Sequence, residues 1–391
     1  MINDPKSSRL YELDVLRAIA FLFVVAQHLF GGFARAVEAD SVQSFVLSLL
    51  HVVAKPAVPI FMVLVGINLF LYSKHKKPDF KGFYKKKFMR LFIPYTMWSV
   101  IFIILSRNYG KLPNILSILV TGTGDYHLWY MGMLIRVILF FPFIWFIAHY
   151  VHSRGKLTKN ILLTLFVVVY WALDKNKDLI TTNIINVIYD HPSNLQAIFV
   201  QISPVFWSLY LVIGIKIAYE YADFKAFIDK TKWYWLGVYP FLLAYNYYDD
   251  IKSKLGIQES DLVKSMISYS HTILSVSFMV ISFLVFYIAS SYIYANLPKA
   301  YAVLRHISKY SFAGYLVHAY ILSIAVAPIA YFGMPYSLPL DIAIYIAAIF
   351  LSIELIHVIS YLPHSHLLTG LKRVDLSNPV VRRPKQPTMS G

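Results

Sequence analysis

The chain has 391 residues, of which 58% are hydrophobic, 17% aromatic and 14% charged, and its formal net charge is +16. A soluble domain carries about 25% charged residues, so this deficit and the repeated apolar runs exclude an ordinary soluble domain and define an all-α polytopic membrane protein. The absence of cysteine excludes disulfides, thiolate nucleophiles and Cys-ligated metals, and the basic charge reads as loop charge that orients the chain in a bilayer, not as a nucleic-acid surface.

Ten spans are expected, over 12–32, 45–72, 89–106, 127–149, 160–173, 196–219, 233–248, 268–294, 310–331 and 340–361. The first is followed by Gly31-Gly32-Phe33 where a signal-peptidase site would carry small-x-small residues, so it stays in place as its own insertion signal. The second is interrupted by Pro56 and Pro59. With the N-terminus cytoplasmic, the inner segments hold 24 Lys and Arg and the outer loops 8. That bias supports ten spans with both ends inside. Lys6, Arg9, the stretch from Lys74 to Arg90 and the C-terminal tail supply much of it. The expected organisation is one transmembrane domain over 1–365 and a basic, disordered cytoplasmic tail over 366–391.

Within the first span, "LDVLRAIAFLFVVAQH" places Asp14, Arg17 and His28 in apolar surroundings. Arg17 and His28 are eleven residues apart, which is about 20° past three full turns and about 16 Å of rise, so both point from one face. Intramembrane ionisable groups usually line a cavity, although Arg17 can also snorkel and His28 can bond a neighbouring helix. Asp14, one turn before Arg17, is placed to hold its guanidinium or to stand as an interfacial charge. His127 opens the fourth span beside Trp129 and Tyr130, residues also typical of an interfacial belt. Ser311, Tyr315 and His318 follow at intervals of four and three and share a helical face. Lys55, Arg136, and the pair Glu354 and His357 are further intramembrane polar groups. His364-x-His366 has no evident carboxylate partner, and no metal site is expected.

Five stretches, in order, resemble the acyltransferase 3 family, the bacterial integral-membrane O-acyltransferases. "YELDVLRAIAFLFVVAQH" matches its Arg or Lys, ten residues, then His, through Arg17 and His28. "PAVPIFMVLVGINLF" resembles its second span, with Val65-Gly66-Ile67 where the family usually has Ser-Gly-Phe. "DFKGFYKKKFMRLFIPY" resembles the basic approach to the third, with Lys87 and Arg90 ahead of Pro94-Tyr95. "HLWYMGMLI" and "SKYSFAGYLVH" resemble two later spans. The region from about 150 to 300 carries no such match.

The resemblance implies transfer of an acyl group, commonly acetyl, from cytoplasmic acyl-coenzyme A to a hydroxyl of a surface or lipid-linked glycan, in the bacterial plasma membrane. On that reading His28 is the general base, assisted by His127. Arg17, Lys87 and Arg90 would meet donor phosphate, and Tyr315 and His318 the pantetheine channel. Asp14, Lys55, Arg136, Ser311 and Glu354 form a second tier. Acyl-CoA is a substrate, and no permanently bound cofactor is expected. Partners would be the glycan acceptor, the bilayer and a separate extracytoplasmic transfer protein. The alternative is a secondary transporter or exporter of a polysaccharide or lipid-linked precursor, with Arg17, His28 and Glu354 as a proton relay.

Overall fold

The computed structural model describes residues 10–71, 73, 77–189, 192–256, 261–335 and 337–373. Lys6, Arg9, Lys74, Lys76 and the tail from 374 onward lie outside them. Seventeen α-helices carry the fold, with no strand among the described residues. They are α1 (Tyr11–Ala36), α2 (Val42–Ala54), α3 (Ala57–Phe70), α4 (Phe80–Lys87), α5 (Ile93–Leu105), α6 (Ile115–Thr121), α7 (Trp129–Leu139), α8 (Phe141–His152) and α9 (Lys156–Lys175). They continue with α10 (Lys177–Ile188), α11 (Asn194–Gln201), α12 (Ser208–Tyr219), α13 (Tyr221–Lys254), α14 (Asp261–Asn296), α15 (Pro298–Phe332), α16 (Leu338–Ile359) and α17 (His366–Thr369).

Among the described residues, eight helical segments are long and apolar enough to cross a membrane, or nine when the bent pair that meets between α7 and α8 is taken as one span. The seventh expected span, 233–248, falls inside α13, whose polar and aromatic sequence is less apolar than those of the others and which does not pass as a crossing on that ground. Its ends nevertheless reach opposite parts of the molecule. At the N-terminal face, the Tyr221 hydroxyl donates to Glu12 of α1 at 2.8 Å. Toward the distal face, the Tyr247 hydroxyl donates to the Phe45 carbonyl of α2 at 3.0 Å. Tyr11 stacking on Tyr294 at 5.3 Å also marks the N-terminal face, and Gln43 donating to Asp341 at 2.8 Å marks the distal one.

Prolines set the breaks. Pro56 separates α2 from α3, whereas Pro59 sits in the first turn of α3, where backbone N–H groups have no intrahelical partner to lose. Between α4 and α5, residues Phe88–Phe92 form a π-helical turn. Pro94 cannot donate to the Arg90 carbonyl four residues back, and the widened turn accommodates that loss. The fourth span, expected as one helix over 127–149, is bent by 62° between α7 and α8. Pro142, in the first turn of α8, removes an i→i−4 bond and obstructs a straight continuation.

The first helix is the centre of the bundle. Val15, Leu16, Ala18, Ala20, Phe21 and Val25 are fully buried, with α2, α3, α14, α15 and α16 around them. In contrast, only Tyr170 is buried on α9, which places that helix at the periphery. Helices α3 and α12 pack backbone to backbone. A Cβ at Gly66 would strike the Leu211 carbonyl, and one at Gly214 the Val63 carbonyl. Small residues let two backbones touch in lipid, where packing rather than water exclusion drives association.

Candidate active site

Arg17 and His28 leave α1 toward one side, as their spacing predicts. The Arg17 guanidinium donates to Asp14 at 3.2 Å and to Ser308 of α15 at 3.4 Å. Asp14 therefore holds the arginine, and Ser308 is a partner the sequence reading did not single out. Beside them lies a cavity of about 150 Å³ between α1, α3, α7 and α15. Arg17, Ser311 and Asn68 are its polar lining, and Leu64, Tyr130 and Tyr315 are among its larger walls.

Three histidines gather next to Tyr315. The His318 ring lies 5.2 Å from His28 and 5.0 Å from His127, so His318 stands between the other two. Tyr315 packs 5.8 Å from His127 and 5.5 Å from His318. It thus forms the wall between the Arg17 cavity and the histidine cluster. Tyr126, another residue not anticipated, meets the His28 ring edge-on at 5.2 Å.

Local structure fixes these rings. Asp125 accepts a hydrogen bond from the Tyr126 amide at 2.6 Å, starting the short 3₁₀ turn Tyr126–Leu128 that carries His127. Gly122, at φ +68°, ends α6 against that turn. A side chain there would both strain the backbone and meet the Leu128 carbonyl. His127 Nε2 lies 3.1 Å from the Leu316 carbonyl of α15, and the Tyr315 hydroxyl donates back to the His127 carbonyl. The turn and the helix are therefore latched in both directions.

The same contacts fix the tautomers. A carbonyl only accepts, so Nε2 of His127 carries its proton. His318 Nδ1 is 2.6 Å from the Tyr315 carbonyl and is likewise the protonated nitrogen. His127 Nδ1 and His318 Nε2 remain as buried lone-pair nitrogens with no hydrogen-bond partner among the described residues. His127 Nδ1 stands 3.8 Å from Asp125, beyond hydrogen-bond range. Buried polar atoms are nearly always bonded in native proteins. Both nitrogens belong to the cluster that holds half-buried His28, and each can accept a hydrogen bond from a hydroxyl.

The other expected site residues are placed elsewhere. Lys87 and Arg90 lie on α4 and its π-helical extension; the Lys87 ammonium stands 5.5 Å over the Phe83 ring. Lys55 pairs with Asp250 at 3.1 Å, tying the α2–α3 break to α13. Arg136 donates to the Phe199 and Ile202 carbonyls, both at 2.7 Å, and so caps the C-terminal end of α11. Glu354 bonds His306 and His357.

The fold and site together define a polytopic α-helical membrane protein with a cavity beside a held arginine and, across Tyr315, a histidine cluster. The family described as an acyltransferase domain matches residues 10–359, and the chain belongs to this acyltransferase 3 family. No curated protein and no solved structure matches it. The protein is accordingly a membrane acyltransferase.

Proposed function

We propose that the protein moves an acyl group, acetyl in the simplest case, from cytoplasmic acyl-CoA to a hydroxyl of a surface or lipid-linked glycan in the bacterial plasma membrane. The observation that carries this reading is the placement of Arg17 and the histidine cluster on either side of one wall, Tyr315. Donor phosphate would lie toward Arg17, whose guanidinium fork suits phosphate oxygens. Lys87 and Arg90, on the approach to the third span, would add positive charge there. The extended pantetheine arm can follow the rise of about 16 Å from Arg17 to His28, past Ser311 and Tyr315, and bring the thioester to the histidines.

His28 would then take the acceptor's hydroxyl proton as its oxygen attacks the thioester carbonyl. The new C–O bond forms, the C–S bond breaks, and the proton passes from the imidazolium to the departing coenzyme A thiolate. His318 and His127 would orient the acceptor and His28 through their lone-pair nitrogens. The test is direct. Purified protein incubated with acetyl-CoA labelled in the acetyl group and with fractionated envelope glycans should place label on glycan. Flux of glycan across vesicles without donor, and no label transfer, would favour export instead.

A further inference from the structure

A second cluster of titratable side chains lies apart from the three histidines. His306, near the start of α15, and Glu354 and His357, near the end of α16, bring their donor atoms within 4.8 Å of one another. His306 Nε2 lies 2.8 Å from one Glu354 oxygen, and His357 Nδ1 lies 2.9 Å from the other. We propose that these three residues form a binding site for a divalent transition-metal ion of the zinc class, clamping α15 to α16.

The donor set fits that ion. Two imidazoles and one carboxylate are a common three-ligand zinc set, with a fourth position left for water. Glu354 and His357 form a Glu-x-x-His step, which puts both side chains on one helical face, as in bundle proteins that hold metal between helices. Ligand atoms on a tetrahedral ion at ~2.0–2.1 Å stand roughly 3.4 Å apart, so each His–Glu contact, made to a separate carboxylate oxygen, would open by about half an ångström, and all the donor atoms already lie within 4.8 Å of one another. His357 also has the outer support that metal-bound imidazoles need: its Nε2 lies 2.9 Å from the Tyr361 hydroxyl. That hydroxyl can donate to the ring or accept from it, so Nδ1 can turn its lone pair to a metal without losing the contact. Beneath the cluster, fully buried Tyr310 packs 5.1 Å from His306 and 5.0 Å from His357, fixing both rings. The side chains of His306, Glu354 and His357 are 37%, 34% and 28% exposed, so no neighbouring side chain seals the cluster.

The consequence is mechanical. The same helix carries Ser308, Ser311, Tyr315 and His318, so a clamp at His306 would hold the helix that lines both the Arg17 cavity and the histidine cluster. The site stands on its own donor atoms and does not depend on the role proposed for His28.

The full-length protein, purified in detergent with a histidine-free tag, tests this by equilibrium binding of Zn²⁺ alone and by Co²⁺ absorption. Wild type should retain about one Zn²⁺ per chain after gel filtration, with visible Co²⁺ bands typical of tetrahedral coordination. His306→Gln and Glu354→Gln, on separate helices, should each lose the ion and the bands while eluting as wild type. A His364→Ala, His366→Ala variant should keep both. Zn²⁺ should raise the melting temperature of wild type and leave that of His306→Gln unchanged. Wild type without bound Zn²⁺, or undiminished binding by both glutamine variants, would overturn the metal site and leave the three residues as a hydrogen-bonded brace.

Discussion

Tyr315 joins the two halves of the site. Its ring walls the Arg17 cavity and its hydroxyl satisfies the buried His127 carbonyl. Tyr315→Phe keeps the ring and removes that donor, and leaving a buried acceptor unsatisfied costs about 1–3 kcal/mol. Thermal denaturation in detergent should show a lowered melting temperature and an acyl-transfer rate reduced with it; an unchanged melting curve would mean that the latch contributes little. Arg17 gives a second prediction. Its fork holds Asp14 and Ser308, and a lysine point charge cannot keep both and still reach a phosphate. Arg17→Lys should therefore raise KM for acyl-CoA on the order of tenfold, with a smaller change in kcat. At this scale Arg17, His28 and Asp14 were legible because one helix and a fixed rotation per residue relate them. Ser308, Tyr126 and His306 were not, because they meet their partners only through the packing of α15 or the 3₁₀ turn, and no spacing in the sequence encodes that.

Among the helices, glycine and proline carry the strongest constraints. Gly214→Val would drive a side chain into the Val63 carbonyl, forcing α3 and α12 apart at a cost of about 1–3 kcal/mol. The expected result is a lower melting temperature and a weaker hold on the α3 wall of the cavity. At the α12–α13 junction, Lys159 and Lys216 both hydrogen-bond Glu220. Burial works to raise the pKa of this carboxyl, but the two ammonium groups outweigh it and bring it down to about 2. Since the folded value lies below the unfolded one, the clamp stabilises the fold above about pH 4.5 and fades as pH falls toward 2. The melting-temperature gap between wild type and Glu220→Gln should accordingly narrow over that window. The bend between α7 and α8 was readable in principle from Pro142, whereas hydropathy alone merged the two helices. The central position of α1 was not readable at all, since an apolar run has the same composition whether it faces lipid or protein.

At the scale of the whole molecule, the expectation of an all-helical, polytopic membrane protein follows from composition and repeated apolar runs, and the observed architecture agrees. The number of crossings is harder to read because α13 is polar and aromatic yet reaches from the N-terminal face toward the distal one. Orientation rests on the distribution of Lys and Arg and has a clean test, because the chain contains no cysteine. Single cysteines at Lys85 and Lys111 should label from opposite sides of intact cells, Lys111 from outside. Labelling of both from one side would contradict the ten-span arrangement. The three histidines were each recognisable as candidates, but their assembly around His318 was not, since it depends on α15 and the His127 turn latching together. The most direct measurement of the central claim is the initial rate of acetyl transfer from labelled acetyl-CoA to envelope glycan by wild type and His28→Ala side by side. Loss of the base should reduce the rate by about 10²-fold or more, with the variant still folded by gel filtration. A wild-type rate from His28→Ala would contradict the assignment of His28 as the group that takes the acceptor's proton.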